Sequence, residues 1–419
     1  MNNSAQITAA ALIAAATTVA SAGSLELDRS YASELKADAG ARSVLNQGNL
    51  GNIQVSAGVQ FGYSYNSRDG AALGDSDITM GFGFNEVEVA IEGDVTDNMH
   101  ARISFDFGPN DSDSTMGQGS AYLEDAYVDW AVNDSFDLRV GQFVPAFSSE
   151  ASTSEFNTVN AYRSATHEFL GTPSWTQGVQ ATWGGETWDF SVGFNDGPST
   201  SATAFNSSSE ADYAFNARFD LYSDSNKDRF ADQSSWRGSD AGWRVGAGLI
   251  YATFGETNPA STSAEADVLW YTIDGAYEGD GWSVWAALYG TDVDPNTGTD
   301  HTNYGFEIGA AMFFSDQWEG FVRWDSLLLD DDTGAGQTSG EDSFNFLALG
   351  ANYYFVPESN AAKLTLEVGV SFDETADITN TAGDTGVTPI GNPGSSGFLS
   401  DVAGEDGQFM VSAVMQFLF

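Results

Sequence analysis

Carboxylates and guanidinium groups recur along this chain at intervals of two and four residues, a spacing that along a β-strand returns each side chain to the same face. Glu86, Glu88 and Glu92 alternate with Val87, Val89 and Ile91, and Asp125, Tyr127 and Asp129 alternate with Ala126, Val128 and Trp130. In the same phase Arg102 and Asp106 oppose Ile103 and Phe105, Arg139 opposes Leu138 and Val140, and Glu319, Arg323 and Asp325 oppose Val322 and Trp324. Such a set performs no covalent chemistry. Fixed charges lined up along a wet face attract, repel or orient ions and polar solutes. On a soluble protein the same residues would be solvated outer-face charges and their apolar partners would build a core.

Other chemistry is thinly represented. His100, His167 and His301 stand beside no recognisable serine motif, so a nucleophile with its base is not expected and the chain does not read as an enzyme. Phosphate-cradling glycine loops and nucleotide fingerprints are missing, and with no cysteine there are no disulfides and no thiolate zinc sites. The stretch from Asp292 to Asp300 offers Asp292, Asp294, Asn296 and Asp300 as oxygen ligands for calcium, although it lacks the distal Glu and glycine spacing of an EF-hand. Solvated loop carboxylates are the competing reading, and no other cofactor is expected. With 14 Lys plus Arg against 60 Asp plus Glu, the formal charge of -46 disfavours nucleic-acid partners.

The elements that must position these charges are strands. From Asn52 the chain falls into about sixteen segments with period-two alternation: 52–66, 80–94, 98–108, 121–132, 135–147, 175–184, 186–196, 211–222, 241–254, 267–279, 281–291, 303–314, 317–329, 342–356, 361–373 and 407–419. Thr96-Asp97, Asn133-Asp134, Gly184-Gly185 and Asp280 read as tight turns, whereas 109–120, 148–174, 197–210 and 374–406 are long and polar. That asymmetry, and the last segment with Phe409, Val411, Ala413, Met415 and Phe417 alternating toward a terminal Phe419, fit an all-β transmembrane antiparallel barrel over 51–419 in a Gram-negative-type outer membrane. Its Tyr and Trp are expected to gather at the two lipid interfaces. Ahead of the barrel, 1–22 reads as a signal peptide closing on Val19-Ala20-Ser21-Ala22, and 23–50 as a periplasmic leader with a short helix carrying Leu27, Tyr31 and Leu35.

Several short motifs, in order, resemble the phosphate-selective porin O and P family of outer-membrane channels. They are Leu123-Glu124-Asp125-Ala126-Tyr127-Val128, Val140-Gly141-Gln142-Phe143-Val144-Pro145, Tyr162-Arg163-Ser164, Glu319-Gly320-Phe321-Val322-Arg323-Trp324-Asp325, Gly350-Ala351-Asn352-Tyr353-Tyr354-Phe355 and Met415-Gln416-Phe417. The resemblance implies sixteen strands, a homotrimer, and a third extracellular loop, here 148–174 with Arg163 and His167, folded inward to narrow the pore. Yet Val144 stands where the family commonly has lysine, and Asn85, Glu86 and Glu88 where it tends to be basic. The expectation is therefore a diffusion porin with cation preference for small hydrophilic solutes and ions. The alternatives are a phosphate- or anion-selective porin and a structural envelope protein with little transport. Arg102, Arg139, Arg163 and Arg323 either set a transverse field across a constriction or pair with lumenal carboxylates and hold the wall.

Overall fold

The computed structural model describes residues 53–68, 78–108, 121–170, 174–198, 200, 202–205, 207, 210–255, 265–330, 342–373, 396–399 and 407–419. The expected signal peptide, leader and leader helix lie outside these residues. Sixteen strands follow in order: β1 Ile53–Arg68, β2 Ile78–Thr96, β3 Met99–Asp106, β4 Tyr122–Asn133, β5 Phe136–Phe143, β6 Thr176–Gly184, β7 Trp188–Asn195 and β8 Tyr213–Tyr222. The second half comprises β9 Gly242–Phe254, β10 Ala266–Gly279, β11 Trp282–Pro295, β12 His301–Phe313, β13 Trp318–Leu328, β14 Ser343–Tyr354, β15 Ala362–Ser371 and β16 Gln408–Leu418. Each pairs antiparallel with the next, and β16 closes on β1 from Gly58 opposite Leu418 to Arg68 opposite Gln408. All sixteen expected segments are present; β5 ends soonest against expectation, at Phe143 rather than 147.

The outer face is apolar all the way round. Val128, Val140, Phe190, Phe219, Ile273, Leu288, Ile308, Val322, Leu366 and Phe409 all stand exposed there. Water would make such a belt prohibitive, whereas hydrocarbon makes it the stable arrangement, and closure leaves no strand edge unpaired. Aromatic pairs gather toward the strand ends: Trp183 with Phe136, Tyr277 with Trp282 and Trp318 with Tyr353 at one end, and Tyr213 with Tyr251 at the other.

Four irregularities interrupt the ladder, two of them beside the periplasmic turns at Asp94–Thr96 and Ala131–Asn133 and two farther into the wall. Between Gln60 and Phe61 the β1–β2 register slips past Asn85, and between Ile103 and Phe105 the β3–β4 register takes up an extra residue, so that Glu124 and Asp125 lie against Ser104. Bulges of this kind turn a side chain to the other face.

The end of the barrel where the chain enters β1 and leaves β16 carries short turns, the periplasmic pattern for such barrels. One connection breaks the rule: residues 223–241, between β8 and β9, form a long segment with a 3-10 turn at Lys227–Ala231. At the opposite end the connection between β5 and β6 carries two short helices, α1 Ser149–Ser152 and α2 Ala165–Phe169. Both segments fold into the barrel.

Candidate functional site

The inner face of β2, β3 and β4 presents a carboxylate-rich patch around one cation. Arg102 donates to Glu88 at 2.7 Å, Glu92 at 3.2 Å and Asp125 at 2.8 Å, and all of these groups stay partly open. Beside them the Arg139 guanidinium forks onto Asp129 at 2.7 and 2.9 Å and lies 3.9 Å over the Tyr127 ring. These side chains are 20% exposed at Arg102 and 32% at Arg139, so the wall faces open lumen. Gly81 and Gly83 on β2 look onto space with nothing within 4 Å of where a side chain would project. Asp106 turns back onto backbone, accepting from the Val87 and Gly108 N–H groups at 3.2 and 2.6 Å. Glu86 neighbours Glu155 of the inward loop, with Asp106 and Glu124 close by.

The inward loop, described through residue 170, occupies the opposite side. Backbone inside a protein but outside a helix or sheet must find side-chain partners, and here the barrel supplies them. Arg218 on β8 grips Asp220 and Asp274 with both forks and donates to the Phe147 carbonyl at 2.6 Å. Further along, Gln60 donates to the Glu155 carbonyl, Gln416 to that of Phe156, Lys363 to that of Thr158 and Asn352 to that of Val159, all between 2.7 and 3.1 Å. Glu367 accepts from the Ala161 N–H at 2.8 Å and Asp325 from that of Ala165 at 3.0 Å. Arg323, tied to Asp325, donates to the Tyr162 and Arg163 carbonyls at 2.9 Å each. Where the loop runs closest, the wall is glycine: a Cβ on Gly58 would meet the Phe156 ring, and one on Gly248 the Phe147 carbonyl.

Apolar packing completes this seat. Phe147, Ala165, Phe169 and Leu170 of the loop bury against Ile250, Trp270, Leu327, Phe344 and Phe346, all on inner faces of β9, β10, β13 and β14. This is a core of the soluble kind enclosed by a barrel, and the burial of a Phe or Leu there contributes roughly 1.5–3 kcal/mol each.

Within the loop, Arg163 holds the Glu150 and Thr153 carbonyls at 2.6 and 3.1 Å and pairs with Glu155 at 3.2 Å. Glu150 accepts from the N–H and hydroxyl of Ser164, both at 2.7 Å. Burial alone would push the Glu150 carboxyl up, but His167, Arg323, Arg163 and the Ser164 N–H outweigh it and hold it below the usual carboxylate range. Burial pulls His167 down to about 4, so at neutral pH its imidazole is uncharged. Glu155, 41% exposed, is the loop carboxylate that looks into the lumen.

From the periplasmic end, the 223–241 connector rises to meet the loop. Asn157 donates to the Ala231 carbonyl and accepts from the Gln233 N–H, both at 3.1 Å, and the Val159 N–H donates to Gln233 Oε1 at 3.0 Å. Ser234 reaches Glu319 at 3.2 Å and Tyr354 at 2.9 Å, while Trp236 packs on Phe313 and Tyr354. Burial pushes the Asp232 carboxyl up to about 7, against the opposing N–H of Ser234 and the charge of Lys363.

The residues singled out from sequence therefore fall into two groups. Glu86, Glu88, Glu92, Arg102, Asp106, Asp125, Asp129 and Arg139 share the β2–β5 wall, whereas Glu319, Arg323 and Asp325 lie 1–4% exposed beneath the loop and connector and anchor them. Arg163 braces the loop's own backbone. Sequence reasoning missed Glu124, Glu150, Arg218, Asp274, Lys363 and Glu367. The one available signal was density of charge in a chain so poor in cations: Lys227, Arg229, Arg237 and Arg244 cluster between and just inside the segments 211–222 and 241–254. At the proposed calcium stretch, Asp292 accepts from Thr302 and Asn296 donates to Glu265; among the described residues no three His, Asp or Glu are arranged to hold a metal. His100 faces Asp94 at 3.1 Å, and His301 contacts the Thr299 carbonyl at 3.3 Å.

A family model described as phosphate-selective porin O and P matches residues 55–267. Solved structures with the same architecture include an anion-selective porin from Comamonas acidovorans, 13% identical, with TM-score 0.56 over 88% of this chain and 99% of that one. The outer-membrane channel DcaP of Acinetobacter baumannii is 12% identical, TM-score 0.57, over 88% and 97%, and OprB of Pseudomonas putida is 10% identical, TM-score 0.57, over 90% and 96%. At these identities the likeness concerns the fold. No curated protein matches the chain in sequence.

Proposed function

This chain belongs to the phosphate-selective porin O and P family, and from that premise we propose that it is a diffusion porin of the outer membrane with a preference for cations. The observation that carries the reading is the surplus of carboxylate on the open wall: Glu88, Glu92 and Asp125 share Arg102, which leaves that cluster with two negative charges beyond its guanidinium. Glu155 adds a carboxylate from the loop side. Negative charge along a water-filled conduit raises the local cation concentration and excludes anions. Stripping a phosphate needs guanidinium forks free to meet its oxygens. Arg102, Arg139, Arg163, Arg218 and Arg323 are each engaged by carboxylates, and Arg163, Arg218 and Arg323 by loop carbonyls as well.

The pore in this reading runs between the β2–β7 wall and the exposed side of the loop. The resemblance supports a homotrimer, as does the outward cluster of Phe61, Tyr63 and Phe82 on β1 and β2, whose rings sit 4.9–5.6 Å apart. The decisive experiment is the reversal potential of the refolded protein in a planar bilayer under a KCl gradient, followed by phosphate titration. Stepwise currents with cation-selective reversal and no phosphate block are expected. Anion-selective reversal, or block by phosphate, would overturn the preference, and absence of current from a folded barrel would overturn the porin itself.

A further inference from the structure

The periplasmic connector encloses a feature that conduction does not use. Between residues 226–240 and the foot of β10 lies a cavity of about 230 Å³, with Asp232, Ser234, Ser235, Trp236 and Glu278 at its base and the exposed Asp228 and Asp240 at its mouth. Glu278 is 5% exposed and lines this space without a hydrogen bond or ion pair. Of the nearby cations Arg229 is committed elsewhere, while Arg244, whose buried Nε has no hydrogen-bond partner, makes no hydrogen bond to Glu278 either. Arg229 donates to the Asn226 and Asp240 carbonyls at 3.0 Å each and to Asp224 at 2.8 Å, and Arg244 leans toward Asp274 at 3.9 Å. Asp232, the neighbouring acid, already accepts from Ser234 and Asn360. A buried carboxylate with no donor is costly, and a ligand that brings N–H donors together with positive charge relieves that cost.

The ligand's class follows from size and charge. A water takes a share of about 30 Å³ of liquid volume, so the cavity is far too large for one bare ion, and the described residues offer no metal-holding group of acids. We propose that this cavity binds a small organic ammonium ion, its nitrogen on Glu278 with Asp232 beside it.

Isothermal titration of the refolded full-length barrel with n-butylamine hydrochloride, against 1-butanol and KCl as controls, tests this. Saturable binding of one butylammonium per chain is expected, absent for butanol, weakened at least tenfold by Glu278→Gln and unchanged by Asp129→Asn on the pore wall. Asp228→Asn, at the exposed mouth, should weaken binding severalfold and serves if E278Q does not refold. No saturable binding to the wild-type barrel, equal affinity in either cavity variant, or an equal loss in Asp129→Asn would overturn the proposal.

Discussion

Arg102 and Arg323 are both inward arginines fastened to carboxylates of the barrel, yet they stand in opposite halves of the lumen and hold different things. Arg102 serves three acids on a wall that remains open to solvent, and its neutral partners are few. Arg323 is buried, serves one acid and spends its other donors on the carbonyls of Tyr162 and Arg163. Arg218 repeats the second pattern at Phe147. The lesson is that charge on a lumenal face has two outlets, a solute or a loop backbone. From β8 round to β1 the barrel has been filled and its polar groups consumed, whereas from β2 to β5 charge is left over. In the proposed reading, selectivity and stability therefore reside in different walls.

The sharpest way to break that division is to remove a loop anchor. Arg323→Leu leaves Asp325 buried without its cation and two loop carbonyls without a donor, which should destabilise the barrel by about 3–5 kcal/mol, read as a lower thermal unfolding midpoint together with larger and noisier single-channel currents. Gly248→Val forces a branched side chain against the Phe147 carbonyl; overpacking of this sort costs about 1–3 kcal/mol, and conductance should rise as the loop lifts while ion selectivity stays put. On the open wall the order reverses. Glu88→Gln with Asp125→Asn should shift the KCl reversal potential toward zero severalfold in permeability ratio, with stability altered by no more than about 1 kcal/mol, since partly exposed pairs are worth little. A large loss of stability in that variant would erase the distinction between the walls.

The smallest effect concerns pH at the connector. Because burial raises Asp232 to about 7, well above an ordinary aspartate, its packing is at full strength below the unfolded value and is lost as pH rises through 7. Hydrogen-exchange protection across residues 226–240, with the intrinsic base-catalysed rate divided out, should accordingly fall between about pH 4 and pH 7, and Asp232→Asn should flatten that dependence.

Much of this was legible in the chain. Alternation located all sixteen strands because each has lipid on one side, and it assigned the facing of Glu88, Arg102, Asp129 and Arg139 correctly. It failed where a second constraint enters. The bulges at Asn85 and at Glu124 reset the phase within a strand, so Glu124 was overlooked beside Asp125. In β9, β10 and β14 both faces are apolar, one for hydrocarbon and one for the loop, so Ile250, Trp270, Phe344 and Phe346 gave no hint of an enclosed core. The connector 223–241 carries no periodicity, and its inward course is fixed by distant partners such as Asn157 and Tyr354. Which wall the loop would choose depended on contacts like Asn352 with Val159, almost 200 positions apart, that no local pattern encodes.

The seat of that loop has a consequence for the order of assembly. Residues 147–165 are synthesised before most of the wall that receives them, and their partners are spread from Arg218 on β8 to Gln416 on β16 and Gln60 on β1. Gln60 and Gln416, bonded to each other at 3.0 Å, are 356 residues apart and adjoin only once the last strand has zipped to the first. Until that moment the chain has nowhere to lodge its own interior, and contacts of such sequence separation form late and slowly. Cylinder closure and the burial of Phe156 beneath it are thus one cooperative event, and an unsealed intermediate would carry its loop outside.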